Sequence, residues 1–152
     1  MRLEGIRALQ MALVRVLVVD DVAVWQRFVS ESLQAGPTFR VIGVASDGLE
    51  AIHKAIKLQP DLILMDVGLP GLDGIEAARR IREHVPHSKI LFVSGNADPD
   101  VVRSAFEAGG SGYILKSDAA NALVAGMAAV LLGKQFVSRS VTEFDDPTGP
   151  DE

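Results

Sequence analysis

Leu62-Ile63-Leu64-Met65-Asp66-Val67-Gly68-Leu69-Pro70-Gly71-Leu72-Asp73-Gly74 is the stretch that decides how this chain folds. Leu62 to Met65 is a short apolar run, the pattern of a strand covered on both faces. It ends on a carboxylate, Asp66. Pro70-Gly71 then turns the chain, and Gly74 opens an amphipathic helix. Asp66 is thereby placed at the carboxyl end of a central strand, the edge where open α/β sheets form their ligand crevice. A single Asp there says little. A second acidic pair, Asp20-Asp21, closes an earlier apolar run in the same way.

Outward from this stretch the same alternation repeats. Val14 to Val19 reads as a strand, followed by a helix with Val22, Trp25, Phe28-Val29 and Leu33 at helical spacing. Gly36-Pro37 stops that helix, and the β-branched run Phe39 to Ala45 is a second strand. Asp47-Gly48 turns and caps a second helix, and Ile75, Ala78 and Ile81 mark a third that stops before Pro86. Lys89 to Val93 ends in Ser94-Gly95, and Gly112 to Leu115 ends at Lys116. Between them lies a fourth helix, and a fifth runs from about Ala119 to Leu132. Strands alternating with helices imply an α/β doubly wound, five-stranded parallel sheet in the order 2-1-3-4-5. Right-handed crossovers put every strand's carboxyl end on one edge, which collects Asp20, Asp21, Asp66, Ser94 and Lys116.

The chain of 152 residues carries a net charge of −5 and 48% hydrophobic residues. That is enough for one folded domain, and it lacks the basic footprint of a nucleic-acid binder. The absence of cysteine excludes disulfides, thiolate metal sites and thiol nucleophiles. No apolar run reaches membrane-spanning length, and Arg15 with Asp20-Asp21 interrupts any signal-peptide pattern, so a cytoplasmic location is expected. Residues 1–12 read as a frayed leader, 13–137 as the domain, and 138–152 as an acidic, disordered tail. His53, His84 and His87 lack metal spacing and read as surface residues.

Three carboxylates converging on one mouth repel. At about 4 Å and an effective dielectric of about 20, each pair costs about 4 kcal/mol, so at least one carboxyl should hold its proton more tightly than usual. A hard divalent cation bound through oxygens, Mg²⁺ above all, relieves this. Lys116 adds a point positive charge and Ser94 a hydroxyl. That combination suits phosphoryl transfer onto the carboxylate of Asp66.

Val19-Asp20-Asp21, Met65-Asp66, Leu69 to Gly74, Ser94-Gly95 and Gly112-Tyr113-Ile114-Leu115-Lys116 together resemble the receiver domain of bacterial two-component response regulators, over about residues 13–137. The resemblance implies the flavodoxin-like receiver fold and a phosphorylation-activated switch that modifies only itself and is not a turnover enzyme. Asp66 would take the phosphoryl group from a sensor histidine kinase or phosphotransfer protein. Asp21 and Asp66 would bind Mg²⁺ directly, Asp20 through water, and the backbone carbonyl of Gly68 would be a further ligand. Lys116 would contact the phosphoryl oxygens. Ser94 would move toward them and Tyr113 would turn inward, altering the face of helix 4, strand 5 and helix 5. Gly68 and Asn96 hold the positions that tune phosphoryl lifetime. Family members usually place a proline, in a cis peptide, after the lysine, whereas Ser117 stands here; a cis bond before serine costs about 3 kcal/mol.

Other readings fit parts of this pattern. Asp20-Asp21 taken alone is equally a helix cap. The chain could be a receiver-like interaction module that works without phosphorylation. A Mg²⁺-dependent phosphohydrolase of the haloacid-dehalogenase type would want a second Asp two residues after the nucleophile, where this chain has Gly68. Residues 133–138 resemble the subfamily that carries a C-terminal helix-turn-helix, which does not follow here, so the chain is either a stand-alone receiver or a piece of a longer regulator. The fifth helix has no charged residue, and its outward row Val124, Ala128 and Leu132 is expected to meet a partner, either a second copy or the chain's own Phe136-Val137.

Overall fold

The computed structural model describes residues 13–142. Six parallel strands form one sheet in the order β2-β1-β3-β4-β5-β6. They are β1 (Val14–Val19), β2 (Phe39–Ala45), β3 (Leu62–Met65), β4 (Lys89–Ser94), β5 (Gly112–Leu115) and β6 (Phe136–Val137). The helices are α1 (Ala23–Gln34), α2 (Gly48–Leu58), α3 (Gly74–His84), α4 (Pro99–Glu107), α5 (Ala119–Leu131) and the short α6 (Arg139–Thr142).

Period-two alternation along the strands sorts the core into two layers. Leu17, Ile63, Ile90 and Tyr113 face α2, α3 and α4. Val16, Leu64, Leu91 and Ile114 face α1 and α5. Full burial of one such side chain contributes about 1.5–3 kcal/mol. Both faces of the sheet are therefore covered, which is why the central strands read as largely apolar runs.

Local chemistry sets the helix ends. Asp47 accepts a hydrogen bond from the Glu50 amide and starts α2, while Asp73 does the same for Glu76 and starts α3. The Arg15 guanidinium donates to the carbonyls of Leu58 and Gln59, satisfying the open end of α2.

Three expectations are corrected. A sixth strand extends the sheet, because β6 pairs with β5 through Gly112 and Phe136, and Tyr113 and Val137. The domain does not stop at residue 137: Ser138 is buried, and Val141 of α6 joins the core that contains Tyr113. Phe136-Val137 does not cover the outward row of α5. The Phe136 ring packs at Gly126, where a Cβ would stand 2.9 Å from it, while Val124 and Leu132 stay exposed and Ala128 is half-buried. The leader, and the tail beyond residue 142, lie outside the described residues. Among those residues, no helix is long and apolar enough to cross a membrane.

Candidate functional site at the carboxyl edge of the sheet

The strand order reverses at β1, between β2 and β3, and a crevice opens where neighbouring loops diverge. Register then sets the side chains. Val19 lies opposite Met65, so Asp20 and Asp66 follow side by side. Ser94 lies opposite Leu115, so Lys116 follows one residue further on. The backbone holds these ends firmly: the Asp66 amide donates to the Val19 carbonyl at 3.0 Å, and the Asp20 amide to the Ala45 carbonyl at 3.0 Å. Behind Asp66, the Gly74 amide donates to the Val67 carbonyl at 2.8 Å. A Cβ on Gly74 would stand 1.8 Å from the Asp66 carbonyl oxygen, so only glycine permits this approach.

Asp20, Asp21 and Asp66 each offer a carboxylate oxygen within 4.8 Å of the others. Asp20 and Asp66 are buried, while Asp21 is exposed at the mouth. The Lys116 ammonium lies 2.7 Å from Asp20 Oδ2 and 3.5 Å from Asp66 Oδ2. Three carboxylates against one ammonium leave the mouth negative. Burial, and next the charge of Asp20, push the Asp66 carboxyl above its ordinary value, against the opposing pull of Lys116 and the Val67 amide. The expected crowding therefore appears on Asp66, with desolvation as its larger cause.

The other oxygens are accounted for unevenly. Asp20 Oδ1 accepts from the Val22 amide at 2.8 Å, so the cap-like use of this pair and its place in the site coexist. Asp20 Oδ2 is buried without a hydrogen-bond donor among the described residues and meets Lys116 only as an ion pair. A buried oxygen without a donor, beside two further carboxylates, fits a hard divalent cation.

Ser94 is buried, and its Oγ accepts from the Asn96 amide at 3.1 Å. Tyr113 already lies inward: it is fully buried, its ring stacks on Phe92, and its hydroxyl donates to the Asn96 carbonyl at 2.6 Å. Burial pushes its phenol pKa up. Gly68 and Asn96 are exposed at the rim. The Lys116–Ser117 peptide is trans, as are all described peptide bonds.

Two contributions escaped the sequence reading. Trp25 places its ring 4.9 Å from the Lys116 ammonium. Its place in the first turn of α1, directly after the Asp20-Asp21 strand end, was the available signal. Asp118, two residues past Lys116, binds Ser138 and Ser140; no local spacing announces a contact across twenty residues.

Comparison with known proteins places this edge in context. The family model "Response regulator receiver domain" matches residues 16–128, which span every strand end described above except β6. The chain is 37% identical over 129 residues to the transcriptional regulatory protein LiaR of Bacillus subtilis (strain 168), covering 85% of this chain and 61% of that protein. It is 43% identical over 105 residues to a protein-glutamate methylesterase/protein-glutamine glutaminase of Pseudomonas putida, covering 68% of this chain and 28% of that one. Among solved structures, a LuxR-family two-component response regulator from Aurantimonas sp. SI85-9A1 superimposes with a TM-score of 0.82 at 33% identity, covering 87% of this chain and 94% of that one. The chain thus spans only part of the length of these curated relatives, 61% and 28%. With acidic strand ends, a lysine and a buried serine arrayed on that shared fold, the chain belongs to the response regulator receiver domain family.

Proposed function

We propose that Asp66 accepts a phosphoryl group from the phosphohistidine of a sensor kinase or phosphotransfer protein, and that the chain works as a phosphorylation-controlled switch rather than a turnover enzyme. The observation that carries this is the position of Lys116. Its ammonium sits between the buried Asp20 and Asp66 carboxylates, where phosphoryl oxygens would gather. An Asp66 oxygen attacks phosphorus, the donor's P–N bond breaks, and its electron pair leaves with the imidazole. Lys116 turns from its carboxylate partners to the phosphoryl oxygens, and the Ser94 hydroxyl donates a hydrogen bond to one of them.

Asp20, Asp21 and Asp66, with the Gly68 carbonyl, are the groups proposed to hold Mg²⁺. When bound, the cation would neutralise charge on the carboxylates and on the phosphoryl group. Ser94 and Tyr113 are the proposed relay, since both meet at Asn96: the Ser94 hydroxyl accepts from its amide and the Tyr113 hydroxyl donates to its carbonyl. A shift of Ser94 would be felt along β5 and on the face of α4, β5 and α5. Neither Gly68 nor Asn96 carries a carboxylate to orient an attacking water, so the adduct should be long-lived. The same glycine argues against a phosphohydrolase.

Acetyl phosphate with Mg²⁺ tests this. One phosphoryl adduct per chain is expected, lasting minutes or longer and absent in EDTA. Continuous phosphate release would mean a hydrolase, and no adduct would mean an interaction module.

A further inference from the structure

Within that proposed reaction, the least explained part of the fold is its carboxyl-terminal segment. Lys116 stands on a single 3-10 turn, Lys116–Asp118, between β5 and α5. That turn has no proline to stiffen it. It is held instead by residues from beyond α5. The Asp118 carboxylate accepts three hydrogen bonds: from the Ser138 hydroxyl at 2.7 Å, the Ser140 amide at 2.9 Å and the Ser140 hydroxyl at 2.7 Å. Bonds to an ionised carboxylate are the strong kind. The Ser140 and Ser138 hydroxyls hold the Asp118 pKa below the usual carboxylate value.

Ser138 also reaches the other side of Lys116. Its hydroxyl accepts from the Leu115 amide at 3.0 Å, and its own amide donates to the Tyr113 carbonyl at 3.0 Å. It is buried, as is Val141 of the following α6. The lysine's backbone is thus pinned on both flanks by one segment, Phe136 to Thr142. Displacing a charged group by about 1 Å can cost two orders of magnitude in rate.

We propose that Asp118 is a positioning residue for Lys116, and that Ser138 and Ser140 form a latch through which the carboxyl-terminal segment sets where the lysine ammonium lies in the acidic mouth. With the latch closed, the ammonium is held against Asp20 and Asp66, and a divalent cation must compete with it. With the latch open, the lysine is loose, so the cation binds more easily and phosphoryl transfer slows. A residue that merely stabilises the fold would not ease Mg²⁺ binding while slowing phosphoryl transfer.

The test uses the full chain, well below its melting temperature. Mg²⁺ is titrated by fluorescence of Trp25, the sole tryptophan, which lies beside the Lys116 ammonium. Adduct formation from acetyl phosphate is followed in parallel. Asp118→Asn should lower the Mg²⁺ midpoint several-fold and slow adduct formation by about tenfold. Ser140→Ala, which removes one half-buried hydroxyl, should move both the same way by less, and Ser140→Thr should restore both. In a Lys116→Ala background, Asp118→Asn should leave the midpoint unchanged, because the lysine it positions is gone. Wild-type values in Asp118→Asn and Ser140→Ala, or an undiminished midpoint shift in the Lys116→Ala background, would overturn the proposal. A wild-type chain that takes no phosphoryl group would instead sink the proposed function, while the Mg²⁺ midpoints would still decide the latch.

Discussion

Asp66 holds its proton more tightly than an ordinary aspartate because its carboxyl is buried beside Asp20. The sign of the consequence follows from proton linkage. Between the ordinary carboxylate pKa and the raised one, the folded chain binds more protons than the unfolded chain. Stability is therefore full below that window, falls as pH rises through it, and stays lower above. Asp66→Asn removes the charge and keeps the shape. At neutral pH without metal it should be more stable by about 1 kcal/mol, a few degrees in Tm for a chain of this size. The gain should vanish in acid, where Asp66 is protonated folded or unfolded. Thermal unfolding in EDTA across pH checks this, and an equal difference at acid and neutral pH would contradict it. At this scale the carboxylates, Ser94 and Lys116 were legible because each closes an apolar run. The tighter pairing of Lys116 with Asp20 than with Asp66 was not, since that depends on where a long flexible stem comes to rest.

The elements that carry these residues are fixed by close approaches that no propensity records. Strands β1, β3, β4 and β5 were readable because burial on both faces makes their runs largely apolar, and the half-buried edge strand β2 because it is rich in β-branched residues. Strand β6 was not, because two residues show no period, and their pairing with β5 is a long-range contact. Residues 138–142 were misassigned for a related reason: serine and arginine look like tail composition, yet Ser138 is buried by the bonds it makes. Glycine at the start of α2 shows the same limit. A Cβ on Gly48 would stand 2.2 Å from the Leu72 carbonyl oxygen, so the loop after Asp66 lies directly on that helix. Gly48→Ala gains up to about 1 kcal/mol of helix propensity but must push this backbone aside, and a net loss of about 1–3 kcal/mol is expected. Denaturant unfolding measures it, and a variant as stable as wild type would show that the loop yields freely.

For the whole molecule, the sheet brings side chains from four separate strand ends to one mouth, and helices on both faces keep that edge in register. The relatives that match this chain include a transcriptional regulatory protein and a protein-glutamate methylesterase/protein-glutamine glutaminase, of which it covers 61% and 28%. The proposed function calls for a single acceptor residue, selected by burial, by neighbours of like charge and by one lysine. Borohydride trapping after treatment with acetyl phosphate and Mg²⁺ reads this directly, because reduction turns an acyl phosphate into an alcohol on the residue that carried it. Peptide mass spectrometry should find that alcohol at position 66 alone, and nowhere in the Asp66→Asn chain. Trapping at Asp20 or Asp21 in the wild-type protein, or undiminished adduct in Asp66→Asn, would contradict it.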